Sequence, residues 1–111
     1  MSIKKMELSM FCDIYGSLLS EKQRDAVELY CNEDYSLAEI AEHTGISRQG
    51  VRDQIKHAEA QLVTFEEKLG LLEKTRKMSE KLSAASELEE VKNNEKISAL
   101  IKDIQETLNF D

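Results

Sequence analysis

Apolar residues recur at helical spacing along nearly the whole chain. Ile3, Met6, Met10, Ile14 and Leu18 step by three or four, and Phe11, Tyr15 and Leu19 widen the stripe. That pattern predicts a first helix over 2–19, weakened towards its end by Gly16. Ser20 and Gln23 have the spacing of a capping box, in which each side chain accepts from the other residue's backbone N–H. They open a second helix through about Cys31, with Ala26, Val27, Leu29 and Tyr30 turned inward. Asn32 to Tyr35 reads as a loop. Ser36 and Glu39 repeat the capping box, so a third helix spans about 36–43 with Leu37, Ile40 and Ala41 on its inner face. Gly45 sits where the chain must turn sharply, Ile46 is expected to be a buried staple, and Ser47 is an N-cap. Val51, Ile55 and Ala58 continue the apolar face of the helix that follows.

That last helix is expected to run on. Val51, Ile55, Ala58, Leu62, Phe65, Leu69 and Leu72 step alternately by four and three, a heptad seam, with Glu66, Glu67, Lys68, Glu73 and Lys74 off it. Continued to about Lys81, the helix would be ~50 Å long, more than a small head can cover. Gly70 lies inside it, at a cost of about 1 kcal/mol, and marks a bend. The small, polar run Ser83 to Ser86 is the expected break. Ser86 with Glu89 then opens a final helix striped by Leu88, Val91, Ile97, Ile101, Ile104 and Leu108. The organisation is therefore all-α: a helix-turn-helix head over 1–62 and a helical extension over 63–111. Leu62, Phe65, Leu69 and Leu72, with Leu88, Val91, Ile101 and Ile104, form stripes that two copies could close about a two-fold axis, so a homodimer is expected. A monomer whose last helix packs on residues 1–35 is the alternative.

Composition supports the helical reading, with no Pro and only 4 Gly in 111 residues. The N-terminus has no basic-then-apolar leader and no run approaches the ~18 apolar residues of a membrane span. A soluble, cytoplasmic protein without membrane contact is expected. Cys12 and Cys31 fit that compartment as small hydrophobes on helical faces. With His43 and His57 they lack metal-ligand spacing, so no metal or other cofactor is expected. Ser17, Ser20, Ser36 and Ser47 read as caps or termini, since no His or acid is spaced to activate them. No Gly-rich loop could cradle phosphates. The chain does not read as an enzyme.

Charge complicates the obvious function. Two helices joined by a short Gly-containing turn, SLAEIAEHTGISRQGVRDQIKHA (36–58), form the motif that places a second helix in a DNA major groove. The net charge, however, is −7, and residues 20–62 hold five Lys/Arg against nine Asp/Glu. DNA-binding domains usually carry a basic footprint. Here the basic strip is small. Arg48, Gln49, Arg52 and Lys56 project opposite Val51 and Ile55, and Arg and Gln are the types that pair bidentately with guanine and adenine edges. The competing interpretation is a solvated face in which Arg52 pairs with a nearby carboxylate. Asp53 on the same face would repel phosphate, and Gly50 weakens the helix start.

LSEKQRDAVELYCNEDYSLAEIAEHTGISRQGVRDQIKHAEAQL (19–62) resembles region 4 of bacterial sigma factors, the part that reads the −35 promoter element. At 111 residues there is no room for the region that grips the −10 element. With the opening MELSMFCDIYGSLLSEKQ and the long charged C-terminal helices, the full length is similar to the YlxM family. These are small bacterial helix-turn-helix proteins whose genes lie beside those of the signal recognition particle GTPase. The resemblance to sigma region 4 implies that Arg48, Gln49 and Arg52 meet bases and Lys56 a phosphate. The resemblance to the YlxM family implies a regulatory or accessory role in the signal recognition particle pathway. Two functions are thus expected to compete: a DNA-binding regulator with a dimerising tail, and an adaptor that binds the particle's GTPase or RNA without DNA.

Overall fold

The computed structural model describes residues 3–109, all of whose regular structure is helical. The chain forms two compact units, one ending at Gly70 and one beginning at Leu71. The boundary read from the sequence, after Leu62, therefore moves down the chain to the glycine.

The first unit contains α1 (Lys5–Tyr15), a 3-10 turn (Gly16–Leu18), α2 (Glu21–Cys31), α3 (Leu37–Thr44) and α4 (Arg48–Leu69). α1 starts later than the stripe predicts and ends earlier; Ser2, the first residue of the predicted helix, lies outside the described residues. Its buried face is Leu8, Phe11, Cys12 and Tyr15, whereas Met6 is 76 % and Leu18 58 % exposed. The predicted stripe was thus centred on the wrong flank. α2 opens on the expected capping box, with Ser20 and Gln23 bonding reciprocally. α4 packs against α1, α2 and α3. Val27, Ile40, Val51, Ile55 and Leu62 are completely buried, along with Leu8 from α1. Each such side chain contributes about 1.5–3 kcal/mol relative to exposure.

Two residues expected to await a dimer partner are used inside this unit. Leu62 is fully buried on α4. Phe65 meets Tyr15 with ring centroids 5.9 Å apart, and the Tyr15 hydroxyl donates to the Glu66 carboxylate. α1 reaches further along α4 than the minimal head anticipated, so the seam is covered for one more turn. α4 then stops. Gly70 adopts φ +62°, and its N–H donates to the Glu66 carbonyl at 2.8 Å, an αL ending that halts the helix instead of bending it. Leu69 is left 47 % exposed.

The second unit contains α5 (Leu71–Ser86), the single-turn α6 (Glu89–Lys92) and α7 (Glu95–Thr107), with α7 against both α5 and α6. The run Ser83 to Ser86 belongs to α5, so the break falls just after it. Ser86 does not cap a helix; its hydroxyl donates to the Ser83 carbonyl at 2.7 Å. The last helix opens instead on Asn94, whose Oδ1 accepts the N–H groups of Lys96 and Ile97, both at 3.1 Å. Val91 is the one buried side chain among the described residues of this unit, at 9 % exposure. Leu72 and Ile101 are half-buried, and Leu88 and Ile104 are exposed.

Candidate nucleic-acid interface

Three local hydrogen-bond devices set the angle between α3 and α4. At the start of α3, the Ser36 hydroxyl accepts the Glu39 N–H, and the Glu39 carboxylate accepts the Ser36 N–H, each at 3.1 Å. At its end, Gly45 adopts φ +78° while its N–H donates to the Ala41 carbonyl at 2.9 Å. A Cβ on Gly45 would meet nothing within 4 Å, so torsion and not space selects glycine there. Ser47 then caps α4 by accepting the Gly50 N–H at 3.0 Å. Gly50 does have a spatial reason: a Cβ would lie 3.2 Å from that Ser47 hydroxyl and 3.6 Å from Ile46 Cδ1. Ile46 is 38 % exposed and lies over the first turn of α4, so it is not the buried staple that the sequence predicts.

Arg48, Gln49, Arg52 and Lys56 are all exposed on α4. At about 100° per residue Gln49 and Lys56 lie roughly opposite the buried Val51–Ile55 stripe, and Arg48 and Arg52 on the flank between. That flank turns towards the N-terminus of α3. Arg48, Gln49 and Arg52 share an open groove of about 540 Å³ with Ser36, Leu37 and Ala38. In the sequence Ser36 was legible as a cap and Leu37 as part of an inner face; that they and Ala38 border the basic strip is new. Lys56 stands beyond the groove, one turn further along α4.

Among the described residues, Arg48, Arg52 and Lys56 enter no ion pair, so the expected competition from a carboxylate on Arg52 is absent there. The nearest acid on α4, Asp53, is held elsewhere. Its Oδ1 accepts from Gln49 Nε2 at 3.0 Å. Reading a base with Gln49 would first require breaking that bond. The three cations therefore carry whatever anion attraction this flank has, and Gln49 restrains the one acid that opposes it.

The rest of the head is acidic. Asp25, Glu28, Glu33 and His43 line a hollow of about 270 Å³ beside Leu29 and Thr44. Glu39, Glu42 and Tyr35 border His43 on its other side. His43 stands edge-on to Tyr35 at 6.0 Å between ring centroids. Burial raises the Cys12 thiol and pushes Cys31 up to about 11, so both stay protonated near neutral pH. Glu59, unnoticed in the sequence pattern, is a buried carboxylate on α4 that accepts the Ile3 N–H at 3.2 Å and ties the chain's start to the recognition-type helix.

Comparison with known proteins agrees with the motif. The family model described as "Putative helix-turn-helix protein, YlxM / p13 like" matches residues 2–106. The UPF0122 protein of Acetivibrio thermocellus is 44 % identical over 100 residues, covering 90 % of this chain and 84 % of its own. That of Halalkalibacterium halodurans is 43 % identical over 102 residues, covering 91 % of this chain and 94 % of its own. A Clostridium kluyveri UPF0122 protein reaches 52 % identity over 77 residues, 69 % of either chain.

Proposed function

The chain belongs to the YlxM / p13-like family of helix-turn-helix proteins, and from that premise we propose that it is a regulatory protein that binds duplex DNA through the exposed flank of α4. One observation carries this reading: Arg48, Arg52 and Lys56 stand exposed and, among the described residues, outside any ion pair, on the helix that the motif presents to a groove. Arg48 and Arg52 supply base-edge donors, and Lys56, a turn further on, supplies a phosphate contact. The groove towards Ser36–Ala38 gives room for a backbone strand beside the inserted helix. With three cations on an acidic body, affinity is modest and depends on fitting the right site. Non-specific binding is weak.

The similarity to the YlxM family supports placing that regulatory role in the signal recognition particle pathway. A second reading, an adaptor that binds the particle's GTPase or RNA, is favoured by the net charge of −7 and the acidic hollow lined by Asp25, Glu28 and Glu33. Titration across salt separates the two, using duplex DNA, the particle's RNA and its GTPase in turn. For the first reading, duplex affinity falls steeply with salt, Arg52→Ala costs about 1–3 kcal/mol, and Lys56→Ala lowers the salt slope by about one. A double variant that binds its best duplex as wild type does overturns the groove-reading model. Tight, salt-insensitive binding of the GTPase with no duplex binding selects the adaptor.

A further inference from the structure

The second unit has little interior. Neither α5 nor α7 contributes a buried residue, and Val91 on α6 is the one exception among the described residues. Yet both helices are amphipathic. On α7, Ile97, Leu100, Ile101, Ile104 and Leu108 follow three- and four-residue spacing, and Leu100 is 61 % exposed. On α5, Met78 is 46 % exposed between half-buried Thr75 and Leu82. A unit this small buries too small a share of its surface to hold together alone, and monomers rarely display so continuous an apolar face.

Charge indicates what covers it. α5 carries Lys74, Arg76, Lys77 and Lys81 against Glu73 and Glu80. From Glu89 to Thr107 the balance reverses: Glu89, Glu90, Glu95, Asp103 and Glu106 against Lys92, Lys96 and Lys102. A surface with a cation-rich helix, α5, beside an acid-rich segment, α6 with α7, is complementary to itself when turned by 180°. The lengths match as well, since 16 residues in α5 and 13 in α7 span about 24 and 20 Å. We propose that this face binds a second copy of the same unit about a two-fold axis, α5 of one protomer lying on α7 of its partner. An isologous contact of this kind makes each α5–α7 pairing twice. The apolar seam between the charged margins is Met78, Leu82, Ile97, Leu100 and Ile104. The proposal does not depend on the nucleic-acid reading, and its failure leaves that reading intact.

A charge-swap cycle on the full chain provides the test. Sedimentation equilibrium at micromolar concentration should give wild type twice the 12.7 kDa chain mass. Lys74→Glu with Lys81→Glu makes both helices acidic, and Glu95→Lys with Glu106→Lys makes both basic. All four positions are exposed, so helicity by circular dichroism should stay at the wild-type level. Each double variant alone should dimerise about tenfold or more weakly, because two favourable margins become repulsive. An equimolar mixture of the two should associate about as tightly as wild type, since every acid-rich helix then meets a basic one. Wild type remaining at 12.7 kDa up to 100 μM would overturn the proposal. So would a mixture that associates no better than either variant alone, as expected of a face reserved for a different protein.

Discussion

Gly45→Ala isolates the torsional cost of the turn that aims α4. Glycine there has φ +78°, and an added methyl would meet no atom within 4 Å. The packing contribution is therefore close to zero, and the whole effect comes from backbone conformation. A left-handed L-residue costs about 1–2 kcal/mol. Replacing glycine also restricts the unfolded chain, which returns about 0.4–1 kcal/mol. The net loss expected is about 0–1.6 kcal/mol, or up to about 10 °C in Tm for a domain of this size. Gly45→Asn should lose less, because asparagine tolerates this region, and Gly45→Val more, because a branched Cβ does not. Urea unfolding followed by circular dichroism gives the values directly. A loss above ~3 kcal/mol for alanine would require a steric clash that the structure lacks. No difference among alanine, asparagine and valine would mean that the turn is not left-handed at all.

Leu62→Ala should destabilise the first unit by about 2–5 kcal/mol, and by the same amount at every protein concentration, because the side chain is buried within one chain; a loss that shrinks as concentration rises would place Leu62 at an interface. Stability should fall as pH rises from about 8.5, where an unfolded cysteine ionises, towards about 11, where the folded Cys31 does. In that window the folded state binds more protons than the unfolded one, so each step up in pH favours unfolding. Cys31→Ala should flatten this alkaline slope in thermal melts, and an unchanged slope would contradict the raised thiol of half-buried Cys31.

The elements most legible in the sequence were those written in local chemistry. Ser20 with Gln23, Ser36 with Glu39, Gly45 and Ser47 each mark a helix end by a hydrogen bond that the residue types themselves specify, and each is made. Periodicity alone was less reliable. In α1 the Ile3–Met6–Met10–Ile14 and Leu8–Phe11–Cys12–Tyr15 stripes have equally helical spacing, and only contact with α2 and α4 selects the second. The heptad seam passed through Gly70 unbroken because α5 resumes at Leu71, and one αL residue leaves the count of residues unaltered. Ser86 with Glu89 has capping-box spacing without the fold of one, since the Ser86 hydroxyl is engaged within its own helix. Asn94 was the cap that pattern reading passed over, although an asparagine before Glu95 and a fresh apolar stripe was the available signal. For the basic strip, the residues were evident, but their orientation was not. A helical projection around α4 cannot reveal that α3 contributes Ser36, Leu37 and Ala38 to the same groove.

Backbone amide shifts of the ¹⁵N-labelled chain, recorded during titration with duplex DNA at low salt and again at high salt, test the proposed interface most directly. Groove reading by α4 should concentrate the perturbations at residues 36–38 and 48–56, and raising the salt should reverse them as counterion release weakens the complex. Perturbations gathered instead on the acidic hollow at residues 25–33, or no shifts at any duplex concentration, would contradict it.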